Sequence, residues 1–218
     1  MAVDLITLTD PRSAAAEAYR TLRTNLLFSS VDAAYRKIAV TSPSDHENKS
    51  VALANLAVTL AQAEHRTLIV DADLRRPSQH TLWGVDNKHG LTSMVLDEKV
   101  LQNPPIQQTS VNGLFILPSG ALPATPADVL ASRKMDEVIA KLATLADFIL
   151  FDVPPVLAAS DASVFSRKLD GLLLVLRAGS TRRDQIDAAK AQLDQVQAKI
   201  IGAVLTNAPK ENNKVYGV

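Results

Sequence analysis

The chain has 218 residues, 47% of them apolar, with 23 basic and 23 acidic side chains and no cysteine. That length and apolar content suit one α/β domain with a sizeable core better than two domains. The zero formal net charge argues against a general nucleic-acid or polyanion binder, and the lack of cysteine excludes a disulfide framework and a thiolate metal site.

No stretch approaches 18 uncharged apolar residues, and the first residues lack a signal-peptide pattern, so a soluble, cytoplasmic chain is expected. Taken in chain order, Asp10 to Arg23 carries capping residues followed by alanine-rich helix formers, which predicts an extra N-terminal helix. Short aliphatic runs then alternate with longer patterns of spaced apolar residues. Strands are expected at Lys37 to Thr41, Thr67 to Asp71, Gly113 to Leu117, Phe148 to Asp152, Leu172 to Leu176 and Ile200 to Leu205. Helices are expected at Ser50 to Glu64, Ala127 to Leu145 with Pro126 in the first turn, Asp161 to Leu169 and Arg182 to Gln197. Near-continuous apolar strands joined by helical crossovers imply a doubly wound, mostly parallel sheet flanked by helices. Ala208 to Val218 is polar and lacks periodicity, so a mobile tail is expected there.

The segment Val40 to Ser50 follows the first strand and opens a helix, which is where a phosphate-binding loop belongs. It keeps Lys49-Ser50 of the pattern GxxxxGK(S/T) but has Pro43, His46 and Asn48 where glycines are usual. Glycine there permits positive φ and lets backbone amides close on phosphate oxygens. Asn and His are among the residues most tolerant of positive φ, so the loop's trace is expected to survive in a narrower cavity. Asp45 and Glu47 add negative charge nearby, and weakened binding and impaired catalysis are the expectation. Asp71, Asp73 and Asp152 stand at the C-terminal ends of apolar runs, where ligands of open α/β sheets sit. The residue types suit one chemistry, with Lys49 for phosphate charge, Ser50 and one or two aspartates for Mg²⁺, and another aspartate to activate a nucleophile.

With these motifs in view, the chain resembles the bacterial tyrosine kinases of capsule and exopolysaccharide machinery, from about Thr9 to Asn207. The markers are Glu17-Ala18-Tyr19-Arg20-Thr21-Leu22-Arg23, Ala54-Asn55-Leu56-Ala57 after Lys49-Ser50, Asp71-Ala72-Asp73-Leu74-Arg75-Arg76-Pro77, Leu117-Pro118-Ser119-Gly120, Pro126-Ala127-Asp128-Val129-Leu130, Asp152-Val153-Pro154-Pro155 and Ser160-Asp161-Ala162. The resemblance implies a P-loop NTPase fold that binds ATP and Mg²⁺. It implies nucleotide contacts from Asp45, His46, Glu47, Asn48, Lys49, Ser50, Val51 and Asn207. Lys49, Asp71, Asp73 and Asp152 would be catalytic, and Ser50, Asp73 and Asp152 would be metal ligands. Glu17, Arg20 and Arg23 resemble the helical motif through which these kinases form homo-oligomeric rings, and Tyr216 resembles a phosphoacceptor, alone where the family usually carries a tyrosine cluster. The implied partner is a membrane polysaccharide co-polymerase, which would bring the chain to the inner face of the plasma membrane. The implied layout is an N-terminal extension with its assembly helix over 1–36, a kinase-like domain over 37–207 and a tail over 208–218. A catalytically inactive scaffold of the same machinery and a partitioning-type P-loop ATPase are the competing functional readings.

Overall fold

In the computed structural model, which describes residues 4–28 and 35–208, the six aliphatic runs form strands of one seven-stranded sheet. Helices Ile6–Thr9 (α1) and Ala14–Phe28 (α2) precede strand Lys37–Thr41 (β1), which is followed by helix Lys49–Gln62 (α3) and strand Thr67–Asp71 (β2). Three short helices come next, Gln79–Trp83 (α4), Leu91–Leu96 (α5) and Glu98–Gln102 (α6), then strands Gln107–Gln108 (β3) and Leu114–Leu117 (β4). Helices Pro126–Ala131 (α7) and Arg133–Ala143 (α8) lead to strand Phe148–Asp152 (β5) and helix Asp161–Ser166 (α9). Strand Gly171–Arg177 (β6), helix Arg183–Gln195 (α10) and strand Ile200–Thr206 (β7) complete the described order.

The sheet runs β3-β4-β2-β5-β1-β6-β7, and every pair is parallel except β3 with β4. The chain leaves β1 toward β2 on one side and reaches β6 on the other side only after β5 has returned beside β1. A crevice therefore opens at the C-terminal end of β1, the switch point of the sheet. Registers pair Asp71 with Asp152 and Asp152 with Val40, so two acids and the start of the loop stand at one level.

Alternation along the strands builds two core layers. Ile38, Val40, Ile69 and Leu150 face α3, while Ala39, Leu68, Val70 and Phe151 face α8, α9 and α10. Helix α3 is buried over residues 52–61 because the sheet covers one side and α1 and α2 cover the other. Burying Leu53, Leu56 and Leu60 fully contributes about 2 kcal/mol each. Asn55 on α3 accepts from the backbone N–H of Thr7 at 3.1 Å and its hydroxyl at 2.9 Å, which pins α1 to the same helix.

Local departures from the sequence expectations have local causes. The helix expected from Ala127 to Leu145 breaks at Ser132, which takes an extended conformation and accepts from Met135 N–H to start α8. Helix α2 starts at Ala14, after a turn containing Pro11, with Ser13 Oγ accepting from Ala16 N–H at 3.2 Å. Strand β3 has two polar residues and helices α4 to α6 have five or six residues each, too few for a periodic signal. Among the described residues, no helix is long and apolar enough to cross a membrane. All of the expected tail except Ala208 lies outside the described residues, and Tyr216 with it.

Candidate active site

The loop between β1 and α3 has the left-handed turns that its sequence permits: His46 has φ 69° and Asn48 has φ 61°. Pro43 is buried, and the backbone N–H groups of Val156 and Leu157 donate to the carbonyls of Ser42 and Pro43 at 2.8 and 3.1 Å. The segment after β5 thus holds the loop's entry. Asn48 is the N-terminal boundary of α3, and its carbonyl accepts from Ala52 N–H at 2.9 Å.

The two acids of the loop each have partners. Asp45 is exposed, and its carboxylate pairs with Arg76 at 3.3 Å. Glu47 is only 2% exposed; its carboxylate accepts from Ser44 Oγ at 3.0 Å and from Thr181 Oγ. The charge that the sequence piles near the phosphate position is consequently partnered, by Arg76 for Asp45 and by Ser44 and Thr181 for Glu47. His46 and Asn48 are exposed.

Lys49 closes the site. Its ammonium lies 2.7 Å from Asp152 Oδ1 and 2.9 Å from Asp73 Oδ2. Burial pulls the Lys49 pKa down, but the fields of Asp152 and Asp73, with their hydrogen bonds, outweigh it and hold the group above the ordinary lysine value. The other oxygen of Asp73 accepts from the backbone N–H groups of Arg75 and Arg76 at 3.3 and 3.0 Å, shaping the turn that follows. Asp73 is the most exposed of the three strand-end acids, at 4%, against 0% for Asp71 and Asp152.

Asp71 does something different from its neighbours. Its carboxylate accepts from the backbone N–H groups of Ser78 and Gln79 at 2.9 Å each and of Asp73 at 3.3 Å. Burial and then the charge of Asp152 push its pKa up to about 8, against the pull of Gln79 N–H and Lys49. It organises the loop after β2 from behind and does not touch the Lys49 ammonium.

Gln79, which sequence reasoning passed over, ties these parts together. Its side-chain amide donates to Asp152 Oδ2 at 2.8 Å and to the Ser50 carbonyl at 3.2 Å, while its oxygen accepts from the Trp83 indole at 3.2 Å. It is fully buried, and no pattern in Pro77-Ser78-Gln79-His80 marks it. Arg75 also has a definite partner: a two-pronged bond to the buried Asp161 at 2.8 and 3.0 Å, joining the loop after β2 to α9.

Other expected positions lie apart from this cluster. Val51 is half-buried in the first turn of α3, against the core layer on that face. Asn207 follows β7, is exposed with φ 52°, and its amide reaches the Ala178 carbonyl at 3.4 Å. On α2, Arg20 bonds Glu17 and the Pro11 carbonyl, both at 2.7 Å, and Arg23 donates to the Thr59 carbonyl of α3 at 2.9 Å.

The donor set fits a hard divalent cation held by few protein groups. Two carboxylates converge on one cationic atom, the Lys49 nitrogen, and Ser50 is the next residue along, in the first turn of α3. Among the described residues no three His, Asp or Glu side chains form a cage of their own, and Mg²⁺ is typically bound through one or two carboxylates plus substrate phosphate.

No protein-family model matches the chain. It is 36% identical to the tyrosine-protein kinase YwqD of Bacillus subtilis, over 98% of this chain and 90% of that protein. Among solved structures, the chimerical protein CapA2B2 superposes with a TM-score of 0.89 at 34% identity, covering 94% of this chain and 90% of that one. The kinase domain of Escherichia coli tyrosine kinase ETK superposes at 0.88 with 29% identity, covering all of this chain and 85% of that one. The septum site-determining protein MinD of Pyrococcus horikoshii, complexed with Mg-ADP, is a more distant match, at a TM-score of 0.64 and 28% identity over 78% of this chain and 69% of that one.

Proposed function

The chain belongs to the bacterial tyrosine-protein kinase family, and on that premise we propose that it transfers the γ-phosphoryl group of ATP to tyrosine in the service of capsule or exopolysaccharide synthesis. The observation that carries this reading is the Lys49 ammonium seated between Asp73 and Asp152. Ser50, Asp73 and Asp152 would hold Mg²⁺, which when bound supplies charge neutralisation for the phosphates. Lys49 leaves its carboxylates for the β- and γ-phosphates. A tyrosine oxygen attacks the γ-phosphorus, the bond to the bridging oxygen breaks, ADP departs, and an aspartate takes the tyrosine proton. Asp71 serves as a positioning residue.

We assign Tyr216 as the acceptor, Glu17, Arg20 and Arg23 to contacts between copies in a ring, and Asn207 to the purine. A membrane polysaccharide co-polymerase is the proposed partner and would bring the chain to the inner membrane face; the likeness to CapA2B2, a chimerical protein, is what supports a partner. The 1–36 segment is proposed as an assembly extension to the 37–207 kinase unit. With His46 and Asn48 in place of glycine, nucleotide affinity is proposed to be lower than in a glycine loop, and turnover slower. Identity to a tyrosine kinase over nearly the whole chain favours this reading over a partitioning ATPase.

The test is incubation with γ-labelled ATP and Mg²⁺, beside a Tyr216→Phe variant. Phosphotyrosine in the parent and its loss in the variant is the expected result. Mg·ATP binding without any labelling would turn the reading toward an inactive scaffold, and no nucleotide binding at all would sink it.

A further inference from the structure

The loop between β1 and α3 lacks glycine, yet two of its carbonyls are captured from outside by residues far along the chain. The His46 carbonyl accepts from Arg177 Nη1 at 3.0 Å. The Glu47 carbonyl accepts from Thr206 Oγ at 3.0 Å, a hydroxyl that also lies 3.1 Å from the Leu176 carbonyl. Both donors sit at the C-terminal ends of the neighbouring strands β6 and β7.

Peptide planarity gives these bonds a consequence. The His46 carbonyl shares its peptide unit with the Glu47 N–H, and the Glu47 carbonyl shares its unit with the Asn48 N–H. In a trans peptide the two groups point opposite ways, and the described residues contain no cis bond. Holding both carbonyls toward β6 and β7 therefore aims the Glu47 and Asn48 amides to the other side, the side on which a loop of this kind meets an anion. A second contact locks the arrangement: Thr181 Oγ accepts from Arg177 N–H at 2.7 Å and donates to the buried Glu47 carboxylate. Ser44 Oγ bonds the other oxygen of that carboxylate at 3.0 Å.

We propose that Arg177 and Thr206, backed by Thr181, are positioning residues that hold the glycine-free loop open to the diphosphate of a nucleotide. Glycine would let the loop adopt this trace on its own; here, anchors from two other strands supply the constraint. The inference rests on the proposed kinase reading, since it presupposes a nucleotide at this loop.

The test compares ADP, ATP and AMP binding by calorimetry in the parent, Arg177→Met, Thr206→Val and Arg177→Lys. Methionine keeps the apolar stem of Arg177, and valine matches threonine in shape. Losing one such bond is expected to weaken ADP and ATP binding roughly fivefold to tenfold. AMP, which has no β-phosphate, should bind each variant as it binds the parent. Arg177→Lys, which keeps a donor, should recover part of the affinity. The melting temperature without nucleotide should change little in Thr206→Val, separating loop positioning from general damage. Equal ADP affinity in the parent and both anchor variants would overturn the proposal, as would an equal loss for AMP. A parent that binds neither ADP nor ATP would overturn the kinase reading itself, which keeps the two failures distinct.

Discussion

Lys49 Nζ and Asp152 Oδ1 meet at 2.7 Å, with the carboxylate fully buried, so the cation of the loop neutralises an acid of β5 across the crevice. The same ammonium is 2.9 Å from Asp73. A single positive charge is thus the counter-ion for two acids, one at the end of β5 and one in the turn after β2.

Replacing that charge has a predictable cost. Lys49→Met keeps the apolar stem and leaves the buried Asp152 carboxylate uncompensated. A loss of about 3–5 kcal/mol is expected in urea unfolding, because breaking a buried ion pair strands the remaining charge. Millimolar Mg²⁺ should restore part of it in the variant, and much less in the parent. A variant as stable as the parent would show that the pair contributes nothing.

Asp71 predicts the pH response. Its pKa rises from the ordinary 3.8 to about 8 on folding, chiefly through burial. The folded chain then keeps a proton that the unfolded chain releases. Its contribution to stability is full below about pH 4 and declines as pH rises toward 8, with a slope of at most about 1.4 kcal/mol per unit. Asp71→Asn keeps an acceptor for Ser78 and Gln79 and cannot ionise, so its unfolding free energy should vary less across that window. Parallel pH profiles for the two proteins would remove Asp71 as the cause.

Gln79→Leu should cost about 2–3 kcal/mol, because it strips a buried donor from Asp152 and the acceptor from the Trp83 indole. Trp83 is the chain's one tryptophan, so its emission should shift in the folded variant. In a nucleotide titration, the Mg²⁺ requirement should rise more than the ATP requirement, since Gln79 orients Asp152. An unchanged Mg²⁺ dependence would leave Gln79 with a packing role only.

The double variant His46→Gly/Asn48→Gly probes the cavity. Both residues hold positive φ, which glycine adopts without a Cβ. Mg·ATP should bind the variant several-fold more tightly than the parent in side-by-side calorimetry. Equal affinity would mean that the side chains at 46 and 48 do not narrow the site.

Much of the fold was legible in the chain. Lys37 to Thr41, Thr67 to Asp71 and Phe148 to Asp152 are strands with the expected bounds, because strands buried on both faces must be apolar throughout. The loop position, Asp71 and Asp152 were legible for the same reason, since each follows directly from an apolar run, and Lys49-Ser50 was legible from what remains of the GxxxxGK(S/T) pattern. The break at Ser132 was not, since spaced apolar residues continue across it and only the cap reveals the stop.

The sequence by itself determined which residues sit at the ends of the strands and that a glycine-free loop could keep positive φ at 46 and 48. Tertiary structure alone decided what those residues face. Glu47, an apparent burden of charge, is bound to Thr181, 134 residues away, and its carbonyl to Thr206, 159 residues away. Asp71 and Asp152 read alike as acids after a strand, yet one accepts backbone N–H groups and the other meets Lys49. Periodicity reports burial within a few turns of chain, whereas a side chain's direction depends on partners that only the packed sheet brings within about 3 Å.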